Sequence, residues 1–238
     1  MRRELASIGL TSPWRALRSL RNFALTVWEP GRGDIKQGVN TLIYEALRNA
    51  TPEGIAEARA AEPELAALFD AAYDPDLDLA QLERLPDGTL GREYARFIRA
   101  NRIDPLGDLL ALQRPTNLLE YRFRRAYKLH DVLHVVLGCD ASVLGEVRIV
   151  SYSLGQAAGA GIRAPALALA VLFLHLALRR QREFPEAVRL AAEWMAKGER
   201  AKPYATFRLE DAMERPVEEV RAWVTALAPS PSPRAAAA

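Results

Sequence analysis

The sequence predicts an all-α fold, a single-domain bundle of roughly eight to ten helices over residues 12–228 with a disordered tail at 229–238. Three observations carry that expectation. Apolar residues recur at spacings of three and four along almost the whole chain, and sustained alternation with a period of two is missing. Half of the 238 residues are apolar, enough to bury a sizeable core within one large domain. Proline and glycine punctuate the periodic stretches at short intervals, so successive helices are joined by short connections.

From the N-terminus, Ser12-Pro13 starts a helix whose Trp14, Leu17, Leu20, Ala24 and Trp28 form one stripe, with Arg15, Arg18 and Asn22 elsewhere. Pro30-Gly31 stops it. Such a basic, amphipathic segment suits either a core helix with solvated arginines or a helix lying on an anionic membrane surface. Asp34 is placed to cap a second helix reaching Ala50, and Thr51-Pro52 supplies an N-cap and an N1 proline for a third. Residues 73–78 read as a loop and 78–84 as a short helix. In the turn that follows, Leu85-Pro86-Asp87-Gly88-Thr89, the threonine is placed to cap a helix running to about Asn101. Asp104-Pro105 breaks the pattern. A long helix is expected over residues 118–137, ended by Gly138, and Asp140 or Ser142 is placed to cap the next, which reaches about Gly155. The glycine-rich residues 155–161 read as a flexible connection, and two or three more helices fill residues 165–227. Residues 164–178, the longest apolar stretch, are interrupted by Pro165 and His175 and fall short of the ~20 residues of a membrane span, so they read as a buried core helix. The tail after residue 228 is almost entirely Pro, Ser and Ala, without core-forming side chains.

Charge excludes more than it suggests. Lys plus Arg number 32 against 30 for Asp plus Glu, and the net charge of +2 supplies no field that argues for a nucleic-acid partner. The single cysteine, Cys139, has no internal disulfide partner, and a reducing, intracellular compartment is the simplest reading. No apolar core of a secretory signal precedes Pro13. The expected location is therefore cytoplasmic, with peripheral attachment to an inner membrane as the variant.

The chemistry concentrates in residues 128–146, where two of only three histidines in the chain, His130 and His134, lie four apart. On a helix their side chains project about 40° apart, one turn above the other, close enough to hold one ion between the imidazoles. Asp131 points roughly 100° around the helix, so it either ligates from the side or hydrogen-bonds a ligand or bound water. Glu146 reaches the same ion only if the chain folds back after Gly138 and Gly145, a return that so short a connection permits. Two imidazoles with one or two carboxylates suit a divalent metal, with zinc favoured and iron or manganese as alternatives. Without a metal, the same histidines would be a hydrogen-bonded core pair near helix-end acids. A metalloprotease helix also spaces histidines four apart, but it needs glutamate where this chain has Asp131.

His130-Asp131-x-x-His134, eleven residues and then Glu146 resembles the motif of the coenzyme Q (ubiquinone) biosynthesis protein 4 family. Upstream, Leu85-Pro86-x-Gly88-Thr89-Leu90-Gly91-x-x-Tyr94-Ala95-x-Phe97 is similar to a block of that family, as is the arginine-rich stretch from Tyr121 to Lys128. Gly198-x-x-Ala201-Lys202-Pro203 and Pro216-x-Glu218-Glu219-Val220-Arg221 look like its C-terminal block. The resemblance implies a helical protein with a divalent cation on His130, Asp131, His134 and Glu146, and an apolar cavity for a prenyl chain. It also implies contact with other quinone biosynthesis enzymes and with the membrane surface, while a homodimer stays open. The activity implied is oxidative removal of the ring carboxyl from a prenylated hydroxybenzoate, leaving a hydroxyl, with Asp131 or Glu146 moving a proton. A non-catalytic isoprenoid-lipid scaffold and a metal hydrolase are the alternatives. Val132 and Leu133, where the family often has an aromatic pair, and residues 150–153 depart from the pattern and bear on what binds beside the ion.

Other residues have simpler expectations. His175, among Val171, Leu172, Phe173 and Leu174, reads as a buried structural histidine, and Cys139 as a small buried hydrophobe. Arg122, Arg124 and Arg125 suit either an anionic headgroup or salt bridges, and Tyr121 and Tyr127 either a cavity wall or the core.

Overall fold

Helix signals in the sequence recur as caps in the computed structural model, which describes residues 47–103, 114–157 and 163–226 together with Leu25, Val27, Trp28 and Tyr44. Nine α-helices and three short 3-10 segments are present among the described residues, without a strand. The helices are α1 (Pro52–Ala61), α2 (Pro63–Asp70), α3 (Leu79–Leu82), α4 (Leu90–Asn101) and α5 (Leu118–Leu137), followed by α6 (Val143–Gly155), α7 (Arg163–Arg179), α8 (Phe184–Arg200) and α9 (Val217–Val224). Thr51, Asp78, Thr89 and Ser142 cap α1, α3, α4 and α6 through their side-chain oxygens. Asn117, which the residue pattern did not single out, caps α5 by accepting from the amides of Leu119 and Glu120. Gly138 ends α5 at φ 67°, the left-handed conformation that glycine adopts without steric penalty.

The all-α, single-domain expectation is met. Its boundary at residue 12 and the tail at 229–238 lie outside the described residues, as do Trp14, Leu17, Leu20 and Ala24 of the first stripe. Trp28 of that stripe is 52% exposed, with the Arg179 guanidinium 3.9 Å from its ring, whereas its neighbour Val27 is buried.

Leu65, Leu90, Ile98, Leu129, Leu133, Leu209 and Val220 form the larger core, drawn from α2, α4, α5, α9 and the segment before α9. Val147, Leu172, Leu176, Ala187 and Leu190 form a second between α6, α7 and α8. Each fully buried leucine contributes about 2 kcal/mol of transfer free energy. The seam between α6 and α8 is closer than side chains allow: a Cβ on Gly155 would fall 2.1 Å from the Met195 carbonyl oxygen, and one on Gly198 2.1 Å from that of Tyr152. Gly155 therefore ends a helix and admits a neighbouring backbone, which corrects its reading as part of a flexible connection. Residues 158–161 of that stretch lie outside the described residues.

Helix α7 corrects another expectation. Val171, Leu172, His175 and Leu176 are buried, but Leu167, Leu174 and Leu178 are 43%, 40% and 57% exposed, so the helix is apolar all round and covered on one side. The His175 ring bonds the Val27 carbonyl oxygen at 2.8 Å, the structural role expected of it.

Candidate metal site

Helix α5 is held in place from below the site by ion pairs. Arg125, fully buried, donates to the carbonyls of Ala205 and Phe207 and to Glu210, which also accepts from Lys128. Arg122 pairs with Glu62 and Arg124 with Asp74, so among the alternatives for this arginine run the structure supports salt bridges. Tyr121, also fully buried, donates to the Tyr73 carbonyl and packs with Phe69, as a core residue does. With its lower half fixed in this way, α5 presents His130 and His134 one turn apart, their ring centroids 5.1 Å from each other.

The chain then reverses over the five residues 138–142, and Glu146 in the first turn of α6 comes back to both imidazoles. His130 Nε2 lies 3.1 Å from Glu146 Oε2, and His134 Nε2 lies 3.6 Å from Oε1. Donors held about 2.1 Å from one ion sit about 3.0 to 3.4 Å apart in octahedral or tetrahedral coordination, close to both separations. A ligand atom from each of His130, His134 and Glu146 lies within 4.8 Å of the other two.

The protonation of His134 is set by its other nitrogen. Nδ1 lies 2.9 Å from the Asp140 carbonyl oxygen, which only accepts, so Nδ1 carries the proton and Nε2 presents a lone pair. That Nε2 is buried without a hydrogen-bond partner, an orphaned acceptor of the kind a bound cation satisfies. Burial first, and then the neighbouring His130, hold the His134 pKa below its ordinary range against the opposing pull of Glu146 and Asp131. The neutral imidazole that results is the form that ligates metals. His134 is sealed at 1% side-chain exposure, whereas His130 and Glu146 are 29% and 23% exposed, so the site opens to solvent on one side.

Asp131, expected as a fourth ligand, supplies no atom to the three-residue group; its charge acts on His134 and on Tyr94 of α4. Helix α4 forms the wall of the site: Phe97 stacks on His134 with ring centroids 5.2 Å apart, one turn from buried Tyr94. Neither residue was singled out for the site, although both stand in the upstream block that resembles the family. Asp140 reaches His134 through its main-chain carbonyl, a contact that its residue type does not announce. Cys139 is buried, its thiol pushed up to about 11 by that burial, and takes no part in the cluster.

One family profile, described as Coenzyme Q (ubiquinone) biosynthesis protein Coq4, matches residues 72–229, which include the whole site. The chain belongs to that family. Among its relatives, the mitochondrial ubiquinone biosynthesis protein COQ4 homolog of Danio rerio is 33% identical over 145 residues, 61% of this chain and 52% of that protein. The Homo sapiens homolog is 31% identical over 146 residues, 58% of this chain and 52% of its own length. The chain thus spans about half the length of the curated relatives it matches. Its fold is similar to that of a Nostoc punctiforme protein assigned to ubiquinone biosynthesis, with a TM-score of 0.64 and 21% identity, covering 87% of this chain and 96% of the other. At that identity the likeness speaks for the fold alone.

Proposed function

We propose that this family member holds one divalent metal on His130, His134 and Glu146 and catalyses oxidative removal of the ring carboxyl from a prenylated hydroxybenzoate. The observation that carries the metal site is the buried lone pair of His134 Nε2, aimed with His130 at one carboxylate. Family membership supports the reaction. For the atoms to balance, the aryl carboxylic acid, dioxygen, two electrons and two protons give the phenol, carbon dioxide and water. The electrons come from a reduced nicotinamide or flavin donor.

With Asp131 outside the ligand group, the donors are two imidazoles and one carboxylate. That set serves zinc in hydrolysis and iron(II) in oxygen chemistry, so the oxidative reaction favours iron, with manganese next. When bound, the ion would supply Lewis-acid stabilisation of negative charge on the substrate carboxylate or phenolate. Once Glu146 ligates, Asp131 is the remaining carboxylate of the motif and takes the proton-transfer role there. Phe97 shields the His134 ring, and the open side at His130 and Glu146 admits the substrate.

The test is to incubate the protein with each metal in turn, a prenylated hydroxybenzoate, oxygen and the reductant, and to follow the ring by mass spectrometry. Loss of the carboxyl with gain of a hydroxyl is expected from the native chain, and His134→Ala should abolish metal retention and product together. Unchanged product and metal content in that variant would sink the proposal.

A second reading, an isoprenoid-lipid scaffold at a membrane surface, is favoured by the exposed row Leu167, Leu174 and Leu178 on α7. The row ends at Trp28 and Arg179, the aromatic and basic types that suit a headgroup boundary. No helix among the described residues is long and apolar enough to cross a membrane, so any attachment through α7 would be peripheral. In this reading the chain is cytoplasmic, meets other quinone biosynthesis enzymes at the inner membrane, and Leu174→Glu releases it from anionic vesicles without changing metal content. A zinc-loaded protein that cleaves esters but leaves the hydroxybenzoate intact would favour the hydrolase instead.

A further inference from the structure

We propose that Gly145 is a positioning residue of the metal site: by lacking a side chain it lets the first turn of α6 close over the Asp140 peptide, whose carbonyl fixes the His134 tautomer. The inference rests on the metal reading above and adds to it the device that prepares the ligand.

The geometry leaves no room for a side chain at this position. A Cβ built on Gly145 would fall 1.9 Å from the Asp140 carbonyl oxygen, the same atom that accepts from His134 Nδ1 at 2.9 Å. It would also meet Asp140 Oδ1 at 2.4 Å and the carbonyl carbon at 2.9 Å, so the contact is with backbone that has little freedom to yield. The Asp140 side chain pins this peptide from its other end, with Oδ1 accepting from the Ser142 amide at 3.2 Å and from Ser142 Oγ at 2.6 Å. Ser142 Oγ in turn accepts from the Gly145 amide at 3.1 Å. The turn is closed on the α5 side by the Cys139 amide, which donates to the His134 carbonyl at 2.8 Å. Asp140, Ser142 and Gly145 thus form one hydrogen-bonded unit.

Glu146 directly follows Gly145, so this unit governs two ligands together. It holds the proton on His134 Nδ1, which leaves Nε2 bare, and it sets where α6 begins and hence where the Glu146 carboxylate returns. An added methyl at Gly145 would push the Asp140 carbonyl away from Nδ1, release the His134 tautomer and shift Glu146. Loss of such an outer hydrogen bond to a ligating histidine lowers metal affinity about 10- to 100-fold.

The experiment compares native protein with Gly145→Ala, Asp140→Ala and the control Gly54→Ala, whose Cβ would meet only Thr51 Oγ1 at 3.4 Å. Two readouts are taken on each: cobalt(II) affinity from its visible absorption, and the His134 tautomer in metal-free protein from nitrogen-15 correlation spectra at alkaline pH. Gly145→Ala should lower cobalt affinity at least about 10-fold and lose the Nδ1–H signature, while Gly54→Ala changes neither. Unchanged tautomer and affinity in a folded Gly145→Ala protein would overturn the proposal. Should circular dichroism show that variant unfolded, Asp140→Ala decides, because it removes the pin and adds no atoms: about a fivefold loss of affinity supports the device, and no loss overturns it. Failure of the native chain to bind cobalt would count against the metal reading, and the tautomer in native and variant proteins would still judge the positioning claim.

Discussion

Arg125 and Glu210 form an ion pair from which water is almost entirely excluded, at 0% and 1% side-chain exposure. A pair of this kind contributes little net stability, yet removing one member leaves a buried charge without compensation. Glu210→Ala is therefore expected to lose about 3–5 kcal/mol in chemical denaturation, and a loss under about 1 kcal/mol would contradict the assignment. Asp74 is a milder case. Burial raises its pKa, but the bonds from Lys128 and Arg124 outweigh burial and hold it below the ordinary value of 3.8. A carboxyl whose pKa is lower in the folded state contributes stability above its unfolded value, and that stability fades as pH falls through the folded one. Acid unfolding below about pH 4 should thus be less steep in Asp74→Asn than in native protein, with the two curves parallel at neutral pH.

At the level of elements, the α6–α8 pair shows what small residues do. Gly155 and Gly198 bring each helix against a carbonyl of the other, and Ala187 and Ala191 of α8 are buried in the core shared with Val147 and Val150 of α6. A methyl group at Gly198 would meet the Tyr152 carbonyl oxygen at 2.1 Å, which neither backbone can relieve without a shift of the helices. Gly198→Ala is expected to lower stability by about 1–3 kcal/mol despite the better helix propensity of alanine; a gain in melting temperature would show that the pair moves apart freely. Because α6 also carries Glu146, such a shift would reach the candidate metal site, and cobalt affinity measured on the same variant checks that link.

Across the whole molecule, the candidate metal site lies where α5 and α6 meet beside α4, so an ion bound there would tie the end of α5 to the start of α6. Binding to the folded chain alone would add about 2.7 kcal/mol at a free metal concentration 100 times the dissociation constant. Melting temperature should therefore rise with added metal and fall with chelator in native protein, and stay constant in His134→Ala. The exposed leucine row on α7 lies on a helix that packs in the other core, with α6 and α8, so substitutions there should leave this metal-dependent shift intact.

Helical periodicity, caps at Thr51 and Thr89, a cap at Asp140 or Ser142, and the stop at Gly138 were legible in the residue order, because helix formation and capping depend on neighbours a few positions away; that Ser142 is the one that caps, and that Asp78 caps α3, came from the structure. The four-residue spacing of His130 and His134 was legible for the same reason. The return of Glu146 was known only through resemblance, since chain reversal depends on how α6 docks. Docking also decided what spacing left open: that Asp131 stands outside the three-residue group, that Phe97 stacks on His134, and that one face of α7 is exposed. The motif names a candidate metal site. Which of its atoms meet, and which main-chain carbonyl sets the His134 proton, follows from long-range packing that no local rule encodes.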